Sequence, residues 1–137
     1  MSREYPDRPF VGVGVVVWRG DEVLLIERGK HPVSGNWSLP GGKQELGETV
    51  RETAHREIKE ETNVDIEIVG LLDVVDLVRQ DDEGRVRFHY TLVDFTARWV
   101  SGDLIAGDDA SDARWVHRDE LGNYKLWDET KRVIALS

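Results

Sequence analysis

The chain has 137 residues, a formal net charge of -9 and a pI of about 4.9. Such an acidic chain lacks the lysine- and arginine-rich surface that long nucleic acid requires, so we expect no DNA or RNA partner. The absence of cysteine excludes disulfides, thiolate metal ligands and a cysteine nucleophile. The longest apolar run, Val13 to Trp18, is far shorter than the roughly 18 to 20 residues of a membrane span. Because the start also lacks a secretory signal, we expect a cytoplasmic protein without membrane contact.

The first half of the chain predicts two strands, a loop and a helix. The segments VGVGVVVW and EVLLIERG are rich in β-branched residues and meet at Gly20 and Asp21, a pattern typical of a hairpin. The loop KHPVSGNWSLPGG follows, with a short extended piece at Trp37 to Leu39. A helix is predicted from Glu48 or Thr49 to Thr62.

The second half predicts a long hairpin, a short strand and a closing helix. Segments 65–78 and 86–100 read as strands separated by the turn sequence DDEG, and 113–116 reads as a short strand. The segment LWDETKRVIAL is predicted to form a helix whose inward residues are Leu126, Val133, Ile134 and Leu136. Without repeats or linkers, we expect residues 1–137 to form one mixed α/β domain.

The first helix places acidic residues on its apolar side. At 100° per residue, Val50, Ala54 and Ile58 define a stripe about 80° wide. Glu57 lies about 20° outside one edge of this stripe and Glu61 lies inside it. Glu60 lies at the margin.

These glutamates require an explanation other than a solvated acidic face, which would lie opposite the apolar stripe. Buried like charges must be protonated, paired or bound to a cation. One neighbouring cation, Arg56, cannot neutralise three carboxylates. Hard oxygen ligands on one helix face favour Mg²⁺ or Mn²⁺, which would also supply the positive charge that a phosphate substrate needs.

The same segment carries a motif with fixed spacing. Gly42 is followed after five residues by Glu48, and after seven more by the run REIKEE at 56–61, with an apolar Val64 beyond it. This pattern resembles the Nudix box of the MutT-like hydrolases. One position departs from it, because Asn63 stands where the family usually has glycine. Asparagine tolerates the left-handed backbone expected there, so we expect a small cost in stability and unchanged chemistry.

The resemblance implies an α/β/α sandwich with a mixed β-sheet. It also implies hydrolysis of a nucleoside diphosphate linked to another group by in-line attack of a metal-activated water. Matching the motif residue by residue makes Glu57 and Glu61 the main metal ligands, together with the Gly41 carbonyl. Glu60 would be a further ligand or the group that orients or deprotonates the water. Gly42, Glu48 and Arg56 would be structural members of the motif.

Other candidates lie around this motif. Arg28 and Lys43 flank the glycine loop, where they would contact phosphate oxygens or simply form a basic loop. Trp37 is a candidate for stacking on a nucleobase, and core packing is the competing explanation. Many family members place a further carboxylate in the later acidic loop, and Asp109 is the preferred match, as a metal ligand or general base. A solvated turn is the alternative explanation of Asp109.

The sequence indicates the type of reaction more closely than it indicates the substrate. Similarity along the chain is greatest to ADP-ribose pyrophosphatase-like members, which implies cleavage of ADP-ribose into AMP and ribose 5-phosphate. Alternatives are hydrolysis of nucleoside triphosphates or of GDP-sugars. A nucleotide sensor that binds without cleaving is a different class of function, and the complete glutamate set argues against it. Many relatives pair through strands, so a homodimer is the default expectation.

Overall fold

The computed structural model describes residues 3–28, 36–107 and 110–137. The elements in this part of the chain, in order, are β1 (Phe10–Arg19), β2 (Glu22–Glu27), β3 (Trp37–Ser38), β4 (Gly41–Lys43), α1 (Val50–Thr62), β5 (Asp65–Gln80), β6 (Val86–Ser101), β7 (Asp112–His117), a 3₁₀ helix (Arg118–Asn123) and α2 (Asp128–Leu136). Neither α-helix is long and apolar enough to cross a membrane.

The strands form one mixed sheet with the central order β3-β2-β1-β6-β5. Strand β4 pairs with β1, and β7 pairs with β2. The β1–β6 pair is parallel, whereas the other pairs are antiparallel. The predicted hairpins are both present, and the long one turns at the predicted DDEG sequence, where Gly84 has a φ of 81°.

The sheet separates two hydrophobic clusters, each covered by one helix. Alternate residues of β1 face opposite sides because side chains alternate along a strand. One cluster joins β1 to α1 and includes Val13, Val15, Val17, Ala54 and Ile58. The other joins β1 to α2 and includes Val16, Val133 and Ile134. The expected α/β/α sandwich with a mixed sheet is therefore confirmed.

Local hydrogen bonds fix both ends of α1. Thr49 and Glu52 form a capping box, in which each side chain accepts a hydrogen bond from the other residue's backbone amide. Asn63 ends the helix in the left-handed conformation, with φ 64° and ψ 12°. Its side-chain amide also donates to the carbonyl of Asp103 over 3.0 Å. The side chain thus offsets part of the cost that asparagine carries relative to glycine.

The closing helix departs from the prediction in its start and in one inward residue: the predicted segment begins at Leu126, whereas α2 begins at Asp128. Leu126, Val133 and Ile134 are buried as expected, but Leu136 is 55% exposed. The reason is its angle: Leu136 lies about 110° from the midpoint between the two buried residues of the last turn, outside the apolar face. Sequence reasoning also missed β4 and the 3₁₀ helix, which are only 3 and 6 residues long.

Candidate active site

Glu61 connects α1 to the glycine segment of β4. It is 6% exposed, one carboxylate oxygen accepts a hydrogen bond from the Gly41 amide at 2.7 Å, and the other pairs with Arg28 at 3.1 Å. Burial raises the pKa of Glu61 above its ordinary value, while Arg28 and the Gly41 amide act against the shift. The carboxylate is therefore held at the loop with its negative charge only partly compensated.

Glu57 lies one helical turn earlier, against the next glycine. A Cβ on Gly42 would lie 2.3 Å from the carboxyl carbon of Glu57, so the absence of a side chain at position 42 makes room for this group. The Glu57 side chain is 16% exposed and accepts a hydrogen bond from Arg56 at 2.6 Å. Burial raises the pKa of Glu57, and Arg56 opposes the shift. Glu57 and Glu61 thus contact adjacent glycines, Gly42 and Gly41.

Arg56 links the helix to the loop before it. Its guanidinium donates to both carboxylate oxygens of Glu48, at 2.6 and 2.9 Å, and to the carbonyl of Lys43 at 3.1 Å. The hydrogen bond from Arg56 is the main reason that the pKa of Glu48 falls to about 2. Thr53 donates a further hydrogen bond to Glu48 at 2.8 Å. This geometry suits the structural role expected for Glu48 and Arg56.

Glu60 occupies a different position from the other two glutamates. Its side chain is 59% exposed and contacts Arg56 at 3.3 Å. Within the described ranges, no group of three or more acidic or histidine side chains converges on one point. Arg28, expected as a phosphate contact, also pairs with Glu61, which the sequence did not predict. The structure therefore brings Glu57 and Glu61 to the loop and leaves Glu60 at its margin.

The donor set fits a divalent cation. Glu57 and Glu61 offer hard carboxylate oxygens beside backbone without side chains, which suits Mg²⁺ or Mn²⁺. Both have raised pKa values, so the protein alone does not fully compensate their charges. Arg56 is already bonded to Glu48 and is shared with Glu57 and Glu60, so negative charge remains in excess. Gly41 contacts this group through its amide, and the role of its carbonyl stays a prediction.

A cleft of ≈ 300 Å³ opens beside the glycine segment. Arg28 and Lys43, the expected phosphate contacts, both line it. Sequence reasoning did not single out most of the other lining residues, which include Arg3, Gly12, Gly14, Ser38, Leu39, Leu92, Asp94, Trp127 and Glu129. One signal was available in the alternation VGVGV, since glycine within a strand often marks a close approach of neighbouring groups.

The glutamates of α1 that are predicted metal ligands are not among the residues that line the cleft, although two of them contact its glycine segment. Trp37 does not line the cleft either; its ring makes an edge contact with Tyr124 at 5.1 Å and lies under Arg114 at 5.0 Å. This position resembles the core-packing alternative more than a stacking platform. Asp109 lies outside the described residues, so its role stays a prediction.

Comparison with known proteins gives matches along most of the chain. The family described as "NUDIX domain" matches residues 8–136. An ADP-ribose pyrophosphatase of Methanocaldococcus jannaschii is 37% identical over 82% of this chain and 64% of its own length. The 8-oxo-dGDP phosphatase NUDT18 of Mus musculus is 43% identical over 82% of this chain and 33% of its own length. A NAD-capped RNA hydrolase NudC of Pseudomonas syringae is 36% identical over 78% of this chain and 36% of its own length.

A solved structure agrees with the sequence matches. The MutT NUDIX hydrolase from Burkholderia pseudomallei superposes with a TM-score of 0.80 at 31% identity, covering 95% of this chain and 98% of that one. The chain spans less than two thirds of the length of the three curated relatives named above. The matching family, the shared fold and the glutamates gathered at the glycine loop together establish that this chain belongs to the Nudix hydrolase family.

Proposed function

We propose that this protein is a pyrophosphohydrolase that uses Mg²⁺ or Mn²⁺ and cleaves nucleoside diphosphates linked to another group, with ADP-ribose as the first candidate substrate. The observation that carries the proposal is that Gly41 and Gly42 line the cleft and also contact the carboxylates of Glu61 and Glu57. The 37% identical relative named as an ADP-ribose pyrophosphatase supports the choice of substrate.

The glutamates of α1 and the basic residues of the cleft would have different roles. Nudix hydrolases generally use divalent metal ions, and an ion bound by Glu57 and Glu61 would polarise the diphosphate and acidify a bound water. Arg28 and Lys43 line the cleft and would hold phosphate oxygens as negative charge develops. Glu60 is exposed at the margin, where it would orient the attacking water or accept its proton.

The supporting residues keep this arrangement in place before substrate arrives. Arg56 holds Glu48 and the Lys43 carbonyl together, which fixes the loop relative to α1. Such preorganisation lowers the barrier because the groups need not rearrange during reaction. Asp109 would supply a further carboxylate for the metal or the water.

The test is hydrolysis of ADP-ribose by the wild type and by Glu61→Gln, with products identified. We expect AMP and ribose 5-phosphate with Mg²⁺, and no turnover with a chelator. Loss of one charged ligand should lower the rate at least about 100-fold, or about 3 kcal/mol of transition-state stabilisation. Glu120→Gln is the matched control, because Glu120 is an exposed glutamate of the 3₁₀ helix that does not line the cleft. An unchanged rate for Glu61→Gln would remove the assignment.

A substrate panel separates the remaining alternatives. It contains ADP-ribose, NADH, GDP-mannose, nucleoside triphosphates and 8-oxo-dGDP. Consumption of triphosphates with ADP-ribose untouched would replace the first candidate substrate by the triphosphate alternative. Nucleotide binding without cleavage of any member would favour the sensor alternative over an enzyme.

A further inference from the structure

The floor of the cleft is formed where two glycines interrupt the apolar side chains of β1. Gly12 and Gly14 alternate with the valines that face α1, so they lie on the opposite face, the same face as Val16. The parallel pairing with β6 places Leu92 beside Gly12 and Asp94 beside Gly14. The side chains of Leu92 and Asp94 on β6 therefore cover the two positions of β1 that lack side chains.

The contacts at these glycines are close. A Cβ on Gly14 would lie 2.5 Å from a carboxylate oxygen of Asp94, and a Cβ on Gly12 would lie 2.8 Å from a methyl group of Leu92. Any larger residue at either position would displace the group that covers it. The two glycines thus position Asp94 at the floor of the cleft.

Asp94 is a buried acid with few partners. It is 7% exposed, and no side chain of the described residues donates a hydrogen bond to it. Arg132 lies close enough to act on its charge, but its guanidinium is bonded to Asp73 at 2.7 Å and to Glu129 at 2.8 Å. Burial first, and Asp73 second, raise the pKa of Asp94 to about 6. A buried acid of this kind costs free energy that a ligand donor would recover.

Asp94 accepts a backbone hydrogen bond from Gly14, whereas a second polar group that lines the same cleft has no partner in the described part of the chain. The hydroxyl oxygen of Ser38 is buried and has no hydrogen-bond partner among the described residues. Leu39, Leu92 and Trp127 supply apolar surface nearby. An apolar hollow with one unpaired hydroxyl and one carboxylate that lacks a side-chain donor within the described ranges is typical of a site for a flat or ring-shaped ligand that carries a few polar atoms.

The charges of the cleft define an orientation for a nucleotide. Asp94, Gly14 and Gly41 lie in one row across three neighbouring strands, β6, β1 and β4. Two strand spacings separate the backbones of Asp94 and Gly41 by about 10 Å. Arg28 and Lys43 line the cleft beside Gly41, whereas Asp94 carries the opposite charge. Phosphates are favoured at the glycine segment, and the uncharged nucleoside is favoured over Gly14.

We propose that Asp94, assisted by Ser38, accepts a hydrogen bond from an amino or hydroxyl donor of the substrate's nucleoside and so determines which nucleotide the protein selects. The proposal rests on the function proposed above and adds a specificity residue to it. The donor is either on the base or on the ribose, and the experiment distinguishes these two sources.

The experiment measures dissociation constants by calorimetry, without turnover. The probes are AMP, GMP, CMP, UMP, 2′-deoxy-AMP and inorganic pyrophosphate, with the wild type and Asp94→Leu. We expect the wild type to discriminate about tenfold or more among the bases, or between AMP and its deoxy form. Asp94→Leu should reduce that discrimination to less than about threefold while pyrophosphate binding stays unchanged. If the variant loses discrimination among the bases, the donor is on the base. If it loses discrimination between AMP and 2′-deoxy-AMP, the donor is on the ribose.

Controls keep the test decisive. Asp76→Asn changes an exposed aspartate of β5 that does not line the cleft, and it should bind as the wild type does. Asp94→Asn keeps one acceptor oxygen and should retain part of the discrimination, including where the leucine variant does not fold. Discrimination that is unchanged in the Asp94 variants, or an equal weakening of nucleotide and pyrophosphate, overturns the proposal. Selective binding through Asp94 without cleavage of any diphosphate would instead reject only the pyrophosphohydrolase activity.

Discussion

Replacing Asp94 by asparagine should change how the stability of the protein depends on pH. Burial and Asp73 raise the pKa of Asp94 from an ordinary value of 3.8 to about 6; Glu129 adds to the shift, while Arg132 and the Gly14 backbone oppose it. An acid whose pKa is higher in the folded state favours folding while it is protonated. Its contribution is present in full below pH 3.8 and is lost as the pH rises through about 6.

The size of this effect follows from the two pKa values. A gap of about two units corresponds to roughly 3 kcal/mol between fully protonated and fully ionised Asp94. Part of this stabilisation is lost below pH 5, where Asp94 ionises in the unfolded chain but stays protonated in the folded one. The rest, about 1.4 kcal/mol, is lost between pH 5 and pH 8. Asparagine does not titrate, so Asp94→Asn should gain about this amount of stability relative to the wild type over the same interval.

Urea unfolding at pH 5 and pH 8, followed by the fluorescence of the five tryptophans, provides the measurement. With a denaturant slope of about 2 kcal/mol per molar, the midpoint difference between variant and wild type should change by about 0.7 M. Asp76→Asn is the control, since Asp76 is exposed, and its midpoint difference should stay constant. Equal differences for Asp94→Asn at the two pH values would refute the reasoning, because they would mean that Asp94 titrates alike in the folded and unfolded chains.

Substitutions at three further positions test the residues that support the site. Gly42→Ala places a methyl group against the Glu57 carboxylate, so hydrolysis should fall about 100-fold with an unchanged circular dichroism spectrum; full activity would contradict the contact. Thr49→Ala removes the capping hydrogen bond to the Glu52 amide and should lower the unfolding free energy by about 1 kcal/mol in urea, and no loss would mean that the cap contributes nothing. Asn63→Ala should cost about 1 to 2 kcal/mol in the same assay because of its left-handed backbone, whereas Asn63→Gly should be nearly neutral. Equal effects of the two substitutions would argue against strain at this position.

Sequence reasoning worked best where periodicity and local capping decide the structure. The position of α1, its termini and the inward direction of Glu61 all follow from the 3.6-residue repeat and the capping residues. The left-handed Asn63 was predictable for the same reason, because the requirement is local to the helix end.

The cleft was harder to predict because it depends on which strands lie side by side. That Asp94 meets Gly14 follows from the parallel pairing of β1 with β6, two strands about 80 positions apart in the chain, which no local pattern specifies. The pairing of Arg28 with Glu61 likewise joins the residue after β2 to α1. Trp37 and Trp127 were not distinguishable by residue type, since only the tertiary fold decides which ring lines the cleft.

The arginines beside the glutamates affect whether the protein can fold before it binds a divalent ion. Arg56 bonds to Glu57 and Glu60, and Arg28 bonds to Glu61, so each acid of the cluster has a cationic neighbour within the chain itself. A newly made chain can therefore complete α1 before it meets any divalent ion, unlike small zinc domains that stay unfolded until loaded. Removing the ion with a chelator should abolish turnover without unfolding the protein. Adding the ion back should restore turnover without a refolding delay.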